Sequence, residues 1–295
     1  MRFQCMLASM TRPKFNFVGS CGSLVLAASA SLLNACATEP PLPALRGATL
    51  ALLGEVHDNP AGHRERLALL TRAVDAGWRP VMAMEQFDTD RQADIDRARR
   101  EAPRDAQHVI DLAAPARSGW DWSLYLPVIE LALRHDLPLR AANLSDADTG
   151  KVVRGGYASV FDAARLAALG LAQPIEPSTQ AAQEREIDAG HCGMLPAPMW
   201  AAMARAQFAR DAVMAQVLRE SGANGAVLIA GNGHVRRDIG VTRWLAPAEQ
   251  ARVVTIGFVE APVVADFAAA FDRVVPVPAA PRADPCEAFA KRAAP

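Results

Sequence analysis

Glu55 and His57 stand two residues apart where an apolar run ends, Leu50–Ala51–Leu52–Leu53–Gly54–Glu55–Val56–His57. On a strand end that spacing sends both side chains to the same side. A carboxylate and an imidazole placed together can move a proton or hold a metal ion. A second run, Val227 to Ala230, ends in Gly231–Asn232–Gly233–His234, with Arg236 just beyond. A third, Pro80 to Met84, ends in Glu85–Gln86, and a fourth, Leu137 to Ala142, ends in Asn143. Each end taken alone is an ordinary polar strand terminus. Four together point to one shared pocket.

These ends need a scaffold that brings them to one place. After the first run, residues 62–76 carry Leu67, Leu70 and Val74 at helical spacing, so the unit reads strand, turn, helix. The expected fold class is α/β, a central, mainly parallel sheet flanked by helices. In such open sheets ligands bind in the crevice at the carboxyl ends of the strands. Gly54 lets another group approach the backbone closely there.

Three further segments bear on that pocket. Gly119–Trp120–Asp121–Trp122–Ser123–Leu124–Tyr125–Leu126–Pro127 opens a helix, with Ser123 as a possible cap and Pro127 tolerable in the first turn. Tyr125 then lies near the positive end of a helix, which favours a phenolate, and a phenolate can ligate ferric haem. The same residues serve equally as an aromatic cluster stapling the helix to the sheet. His191–Cys192 lies between Gly190 and Gly193, an irregular turn with two potential ligands. The long helix over residues 198–219 places Gln207, Arg210 and Asp211 among apolar positions. Buried charges need partners, so Arg210 and Asp211 read as polar supports beneath the pocket. Lys151–Tyr157 is either a contact for acidic ligand groups or a plain surface loop.

The chain has 295 residues, 51% of them hydrophobic, and a formal net charge of −1. That suffices for one sizeable core and gives no reason to expect nucleic acid as a partner. No HExxH, paired CxxC, phosphate-cradling Walker loop or GxSxG elbow is present. Residues 1–36 read as a lipoprotein signal peptide: Arg2, Arg12 and Lys14 precede an apolar stretch that closes in Leu33–Asn34–Ala35–Cys36. Lipidation of Cys36 would tether the protein to a membrane. Ala37 after the cysteine points to the outer membrane facing the periplasm, if the source is Gram-negative. Residues 37–47 form a Pro/Ala-rich tether, 48–275 the folded domain, and 276–295 a loosely held Pro/Ala-rich tail. Cys192 and Cys286 remain, and an oxidising compartment permits them to pair, although Cys286 falls in the tail.

Several of these motifs, in this order, resemble the ChaN-like haem-binding lipoproteins of the wider superfamily that includes Tiki, TraB and erythromycin esterase-like proteins. The carriers are Gly54–Glu55–Val56–His57–Asp58–Asn59, Glu85–Gln86, Trp122–x–x–Tyr125–x–Pro127, His191–Cys192–Gly193, Ala206–Gln207–x–x–Arg210–Asp211 and Gly231–Asn232–Gly233–His234–Val235–Arg236. They run from about Ala48 to Val259. The resemblance implies a role in haem binding or iron uptake at the bacterial surface. It also implies a cofacial haem pair in a pocket at a homodimer interface, with a tyrosine near the iron, here Tyr125. A haem or iron transporter is then an expected partner.

The alternative reading is an enzyme. Some superfamily members are hydrolases that use the matching Glu and His positions. Here Glu55 or Glu85 would act as general base, with His57 and His234 orienting the substrate or holding a divalent metal.

Overall fold

A computed structural model describes Leu45 and residues 49–116, 119–221, 225–284 and 286–287. These residues fall within a compact unit, Pro40–Pro295. The lipidation candidate Cys36, the signal segment and most of the tether lie outside the described residues.

Among the described residues six strands form one sheet: β1 (Leu50–Glu55), β2 (Val81–Asp88), β3 (Leu139–Asn143), β4 (Ala226–Gly231), β5 (Val253–Glu260) and β6 (Arg273–Val277). Their order is β3-β2-β4-β1-β5-β6, and every pairing is parallel. The four apolar runs legible in the sequence are β1 to β4. They read as continuous apolar stretches because both faces of the sheet are covered.

The helices are α1 (Pro60–Asp75), α2 (Gln92–Glu101), α3 (Ala106–Ala113), α4 (Trp122–Arg134), α5 (Asp146–Gly155), α6 (Ala163–Leu169), α7 (Pro177–Gly190), α8 (Trp200–Arg219), α9 (Asn232–Val235), α10 (Pro247–Gln250) and α11 (Ala265–Ala268). Ala51 and Leu53 of β1 pack with α1 to α4 in one core, whereas Leu50 and Leu52 pack with α8 in another. That alternation is the period of two of a strand. Among the described residues no helix is long and apolar enough to cross a membrane.

The central strands β1 and β4 define the crevice. The chain leaves β1 toward β2 on one side and leaves β4 toward β5 on the other. A gap opens between the outgoing loops at such a switch point, and ligands bind there. The register pairs Glu55 with Gly231, so the two signature stretches end side by side.

Three boundaries differ from those read off the sequence. The cap of α4 is Asp121, whose carboxylate accepts from the Ser123 N–H and hydroxyl at 3.1 and 2.6 Å. Ser123 is therefore inside the helix, and Pro127 lies beyond its first turn. Lys151 to Arg154 belong to the helix α5 rather than to a loop. The described part of the C-terminal segment, residues 276–284 and 286–287, is fastened rather than loose. β6 pairs with β5, Asn59 Nδ2 donates to the Pro278 carbonyl at 2.8 Å, and Arg282 pairs with Glu260 and Asp58. Cys286 is disulfide-bonded to Cys192, across 94 residues of chain. Composition suggested a loosely held tail; one covalent bond and a rim of ion pairs hold its described residues.

A loop that long makes cross-linking effective against the unfolded ensemble. Cys192→Ser or Cys286→Ser is expected to lower unfolding free energy by about 2–4 kcal/mol. Urea unfolding with and without reductant checks this: reductant should abolish the difference between variant and parent.

Candidate functional site

At the end of β1, Glu55 is only 2% exposed, so its carboxylate must be satisfied by the protein. Four side chains do this. The Tyr125 hydroxyl donates to Oε1 at 2.5 Å, Gln86 Nε2 at 3.3 Å, and His57 Nδ1 lies 2.9 Å away. Arg66, 1% exposed, forms an ion pair with Oε2. Burial lowers the Arg66 pKa to about 10, which still leaves it a cation near neutrality. His63 bridges Arg66 to the His57 carbonyl, with contacts of 2.9 and 3.0 Å.

His57 is the member of this group that meets solvent: its side chain is 45% exposed while that of Glu55 is 1% exposed. One edge packs against Trp120, ring centroids 4.8 Å apart, and Nε2 rests on Gly231, where a Cβ would come within 2.9 Å. Desolvation of the packed side lowers its pKa. Glu85 and Asp58 pull the other way, and His234 and Arg210 reinforce the lowering. The result is a neutral imidazole whose orientation is fixed by a carboxylate behind it.

A second cluster lies on β2, α8 and the β4 end. Glu85 Oε2 accepts the Gly231 N–H at 2.7 Å, and Oε1 is 3.4 Å from His234 Nε2. His234 Nδ1 lies 2.6 Å from Asp211 Oδ1. Burial opposes every charge here. Even so, the two carboxylates raise the His234 pKa to about 10, and His234 with the Gly231 N–H holds Glu85 down to about 2. Burial raises Asp211 to about 6 against the pull of His234. His234 is thus an imidazolium clamped between two acids, and Glu85 is too weak a base to accept a proton near neutrality.

A cavity of about 730 Å³ opens between these clusters, within the 300–1,000 Å³ span of small-molecule sites. Of the residues marked out by the sequence, Glu55, His57, His191, Gln207, Asp211, Asn232 and His234 line it. Val56, Ile187, Val259 and Phe267 supply apolar wall. The Nδ1 of His191 bonds to the Ile187 carbonyl at 2.6 Å. Glu85 sits just beneath, and Arg210, 4.0 Å from Glu85, is anchored to Asp146 at 3.0 Å. Arg236 braces the rim through Glu186 and Asp238, at 2.5 and 2.7 Å.

Two expectations change. Tyr125 does not face the cavity. It is 0% exposed, enclosed by His63, Trp120 and Trp122, and donates to Glu55. Burial, assisted by Glu85, raises its pKa despite Arg66, so it is a neutral phenol in this arrangement. Here the Trp–Tyr segment packs as an aromatic cluster, with Tyr125 edge-on to Trp120 and Trp122. Asn143 is buried at the end of β3, aligned with Asp88, away from the cavity lining.

Arg66 and His63 were absent from the sequence candidates, and Trp120 was named only as part of the aromatic segment beside Tyr125. Arg66 had a signal: it shares a helical stripe with Leu70 and Val74, and a charge on an apolar stripe needs a buried partner. Nothing in the sequence tied Trp120 to His57, which it reaches only through the fold. Among the described residues no three His, Cys, Asp or Glu side chains stand as a metal ligand set.

A family profile described as haem-binding uptake, Tiki superfamily, ChaN matches residues 42–245. Among solved structures the chain is similar to ChaN of Campylobacter jejuni, described as cofacial heme binding. Identity is 18% and the TM-score 0.57, over 74% of this chain and 84% of that one. It is also similar to a mutant of the erythromycin esterase EreC in its open conformation, at 13% identity and a TM-score of 0.45, over 74% and 71% of the two chains. No curated protein matches the chain.

Because the His234 pKa is raised from 6.5 to about 10, its clamp contributes stability fully below pH 6.5, and that stability is lost as pH rises through 10. His234→Gln is expected to melt at a lower temperature at neutral pH and to lack the alkaline limb between pH 6.5 and 10. Melting curves across that range test this: a variant that retains the parent's limb excludes His234 as its source.

Proposed function

Since this chain belongs to the haem-binding uptake family of the Tiki superfamily, ChaN, we propose that it captures haem in the cavity at the ends of β1 and β4. The observation that carries the reading is His57. It is a half-exposed, neutral imidazole whose Nδ1 is held by the buried carboxylate of Glu55. That is the arrangement of a metal-ligating histidine with its supporting carboxylate, and imidazole is a common haem ligand. His57 is therefore the proposed iron ligand in place of Tyr125. Tyr125, Gln86 and Arg66 fix Glu55, which fixes His57. The apolar wall suits the macrocycle.

The cofacial haem described for ChaN of Campylobacter jejuni supports placing a second copy of this chain opposite the cavity, so that two haems stack at a homodimer interface. In this reading Cys36 carries lipid and tethers the domain at the outer membrane, facing the periplasm. A tether cannot move haem through a bilayer, so uptake needs a separate haem or iron transporter as partner.

Hydrolysis is a second reading, favoured by the same pair. A neutral imidazole backed by a carboxylate is a general base, and it displaces Glu55 and Glu85, both fully engaged, from that role. Ester turnover without haem affinity would favour it.

Haem titration of the protein decides between the assignments. Saturable binding with an imidazole-type ferric spectrum is expected, with a monomer-to-dimer shift in sedimentation. His57→Ala should lose that spectrum and Tyr125→Phe should keep it; the reverse pattern would sink the His57 assignment. For the anchor, labelled palmitate should enter the expressed protein and be lost in Cys36→Ser.

A further inference from the structure

The cavity at the ends of β1 and β4 has two walls. The strand ends and their loops make one and carry His57 and His234; α7 and α8 make the other. On α7, Gln183, Glu186, Ile187 and Gly190 line the cavity at steps of three and four residues, a single helical stripe. On α8, Gln207 and Asp211 do the same one turn apart. The two helices pack on each other through Ile187, Ala204 and Phe208.

Each carboxylate on the lining is already answered by the protein. Glu55 pairs with Arg66, and Asp211 with His234 at 2.6 Å. Glu186 pairs with Arg236 at 2.5 Å, and Asp58 and Glu260 share Arg282 at 2.9 and 2.5 Å. Asn232 donates to the Phe258 carbonyl at 2.9 Å. Two side chains differ. Gln183 and Gln207 make no side-chain hydrogen bond with any described residue, although Gln183 is only 7% exposed. Their amide atoms are not among the sealed polar atoms, so a molecule in the cavity can reach them. A polar group buried to that degree is ordinarily hydrogen-bonded, and what occupies the cavity must supply the partner.

We propose that Gln183 and Gln207 are the specificity-determining residues of this cavity, and that their amide N–H groups hold the two propionate carboxylates of haem. The assignment rests on the haem reading above. Haem brings an iron for His57 and two carboxylates at its edge. Among the described residues no cation at the cavity is free to meet them: Arg236 and Arg282 each hold two acids, and His234 stands between Glu85 and Asp211. The groups left are two carboxamides, each able to donate twice through its NH2. The charges behind the lining balance, Glu55 against Arg66, and Glu85 and Asp211 against His234 and Arg210. A hydrogen bond to a charged acceptor is stronger than one to a neutral acceptor. A neutral amide can therefore tell a carboxylate from its ester.

The full chain is titrated in parallel with haem and with haem dimethyl ester, in which both carboxylates are methylated and the iron and ring are unchanged. Gln183→Met and Gln207→Met keep the length of the side chain and remove its hydrogen bonds. The parent is expected to bind haem about tenfold or more tightly than the ester. Each variant should bind haem about tenfold more weakly, the loss of one hydrogen bond to a charged group. Each should bind the ester as the parent does, with the imidazole-type ferric spectrum intact. Unchanged ester binding marks carboxylate recognition, since a disturbed wall would weaken both ligands. Equal parental affinity for haem and ester, or variants that weaken both alike or neither, overturns the proposal and leaves haem capture standing. A parent that binds neither ligand overturns haem capture and the proposal with it.

Discussion

A carboxylate at the end of a central strand, sealed from water, is tolerable only if the protein replaces its hydration. Glu55 is in that position, and much of the site is arranged around the requirement. Arg66 from α1 brings the opposite charge, Tyr125 from α4 and Gln86 from β2 bring neutral donors, and His57 takes the remaining direction. Removing one partner of a buried ion pair typically costs about 3–5 kcal/mol. One group thus ties β1 to β2, α1 and α4, and orients the imidazole that faces the cavity. The aromatic ring of Tyr125 adds packing to the same joint, edge-on to His63 at 4.8 Å.

The two strand ends also make room for one another. A Cβ on Gly54 would lie 2.2 Å from Asn232 Oδ1, and one on Gly231 would lie 2.9 Å from His57 Nε2. Each glycine removes a methyl group so that the neighbouring strand's polar residue can sit over its backbone. Asn232 is fixed further by donating to the Phe258 carbonyl at 2.9 Å. The glycines here are steric cut-outs that let two parallel strands present side chains into one crevice.

The two histidines of the pocket divide into different roles through their surroundings. His234 lies between Glu85 and Asp211 and is held protonated, so it has no lone pair for a metal. His57 has one carboxylate contact and a solvent-facing side, and desolvation keeps it neutral. The same side chain is a structural cation at one strand end and a potential ligand at the other. The number of acids in contact, not the residue type, makes the difference.

Much of the frame was readable from the sequence. Four apolar runs with polar ends gave β1 to β4, because a strand covered on both faces must be apolar throughout. The order of motifs gave the family, and helical stripes gave α1 and α8. β6 escaped notice: Arg273–Val277 is half exposed and short, so its pattern is weak. Tyr125 illustrates the deeper limit. Sequence placed it near a helix start beside two tryptophans, which fits a ligand and a core residue equally. Only the tertiary structure brings Glu55, 70 residues away in the chain, to its hydroxyl. The same holds for the fastened tail and for Trp120 on His57. Local spacing determines which faces a strand or helix presents. Which groups meet across the chain, and so which are neutral, charged or reachable, is set by packing between elements that the sequence does not place side by side.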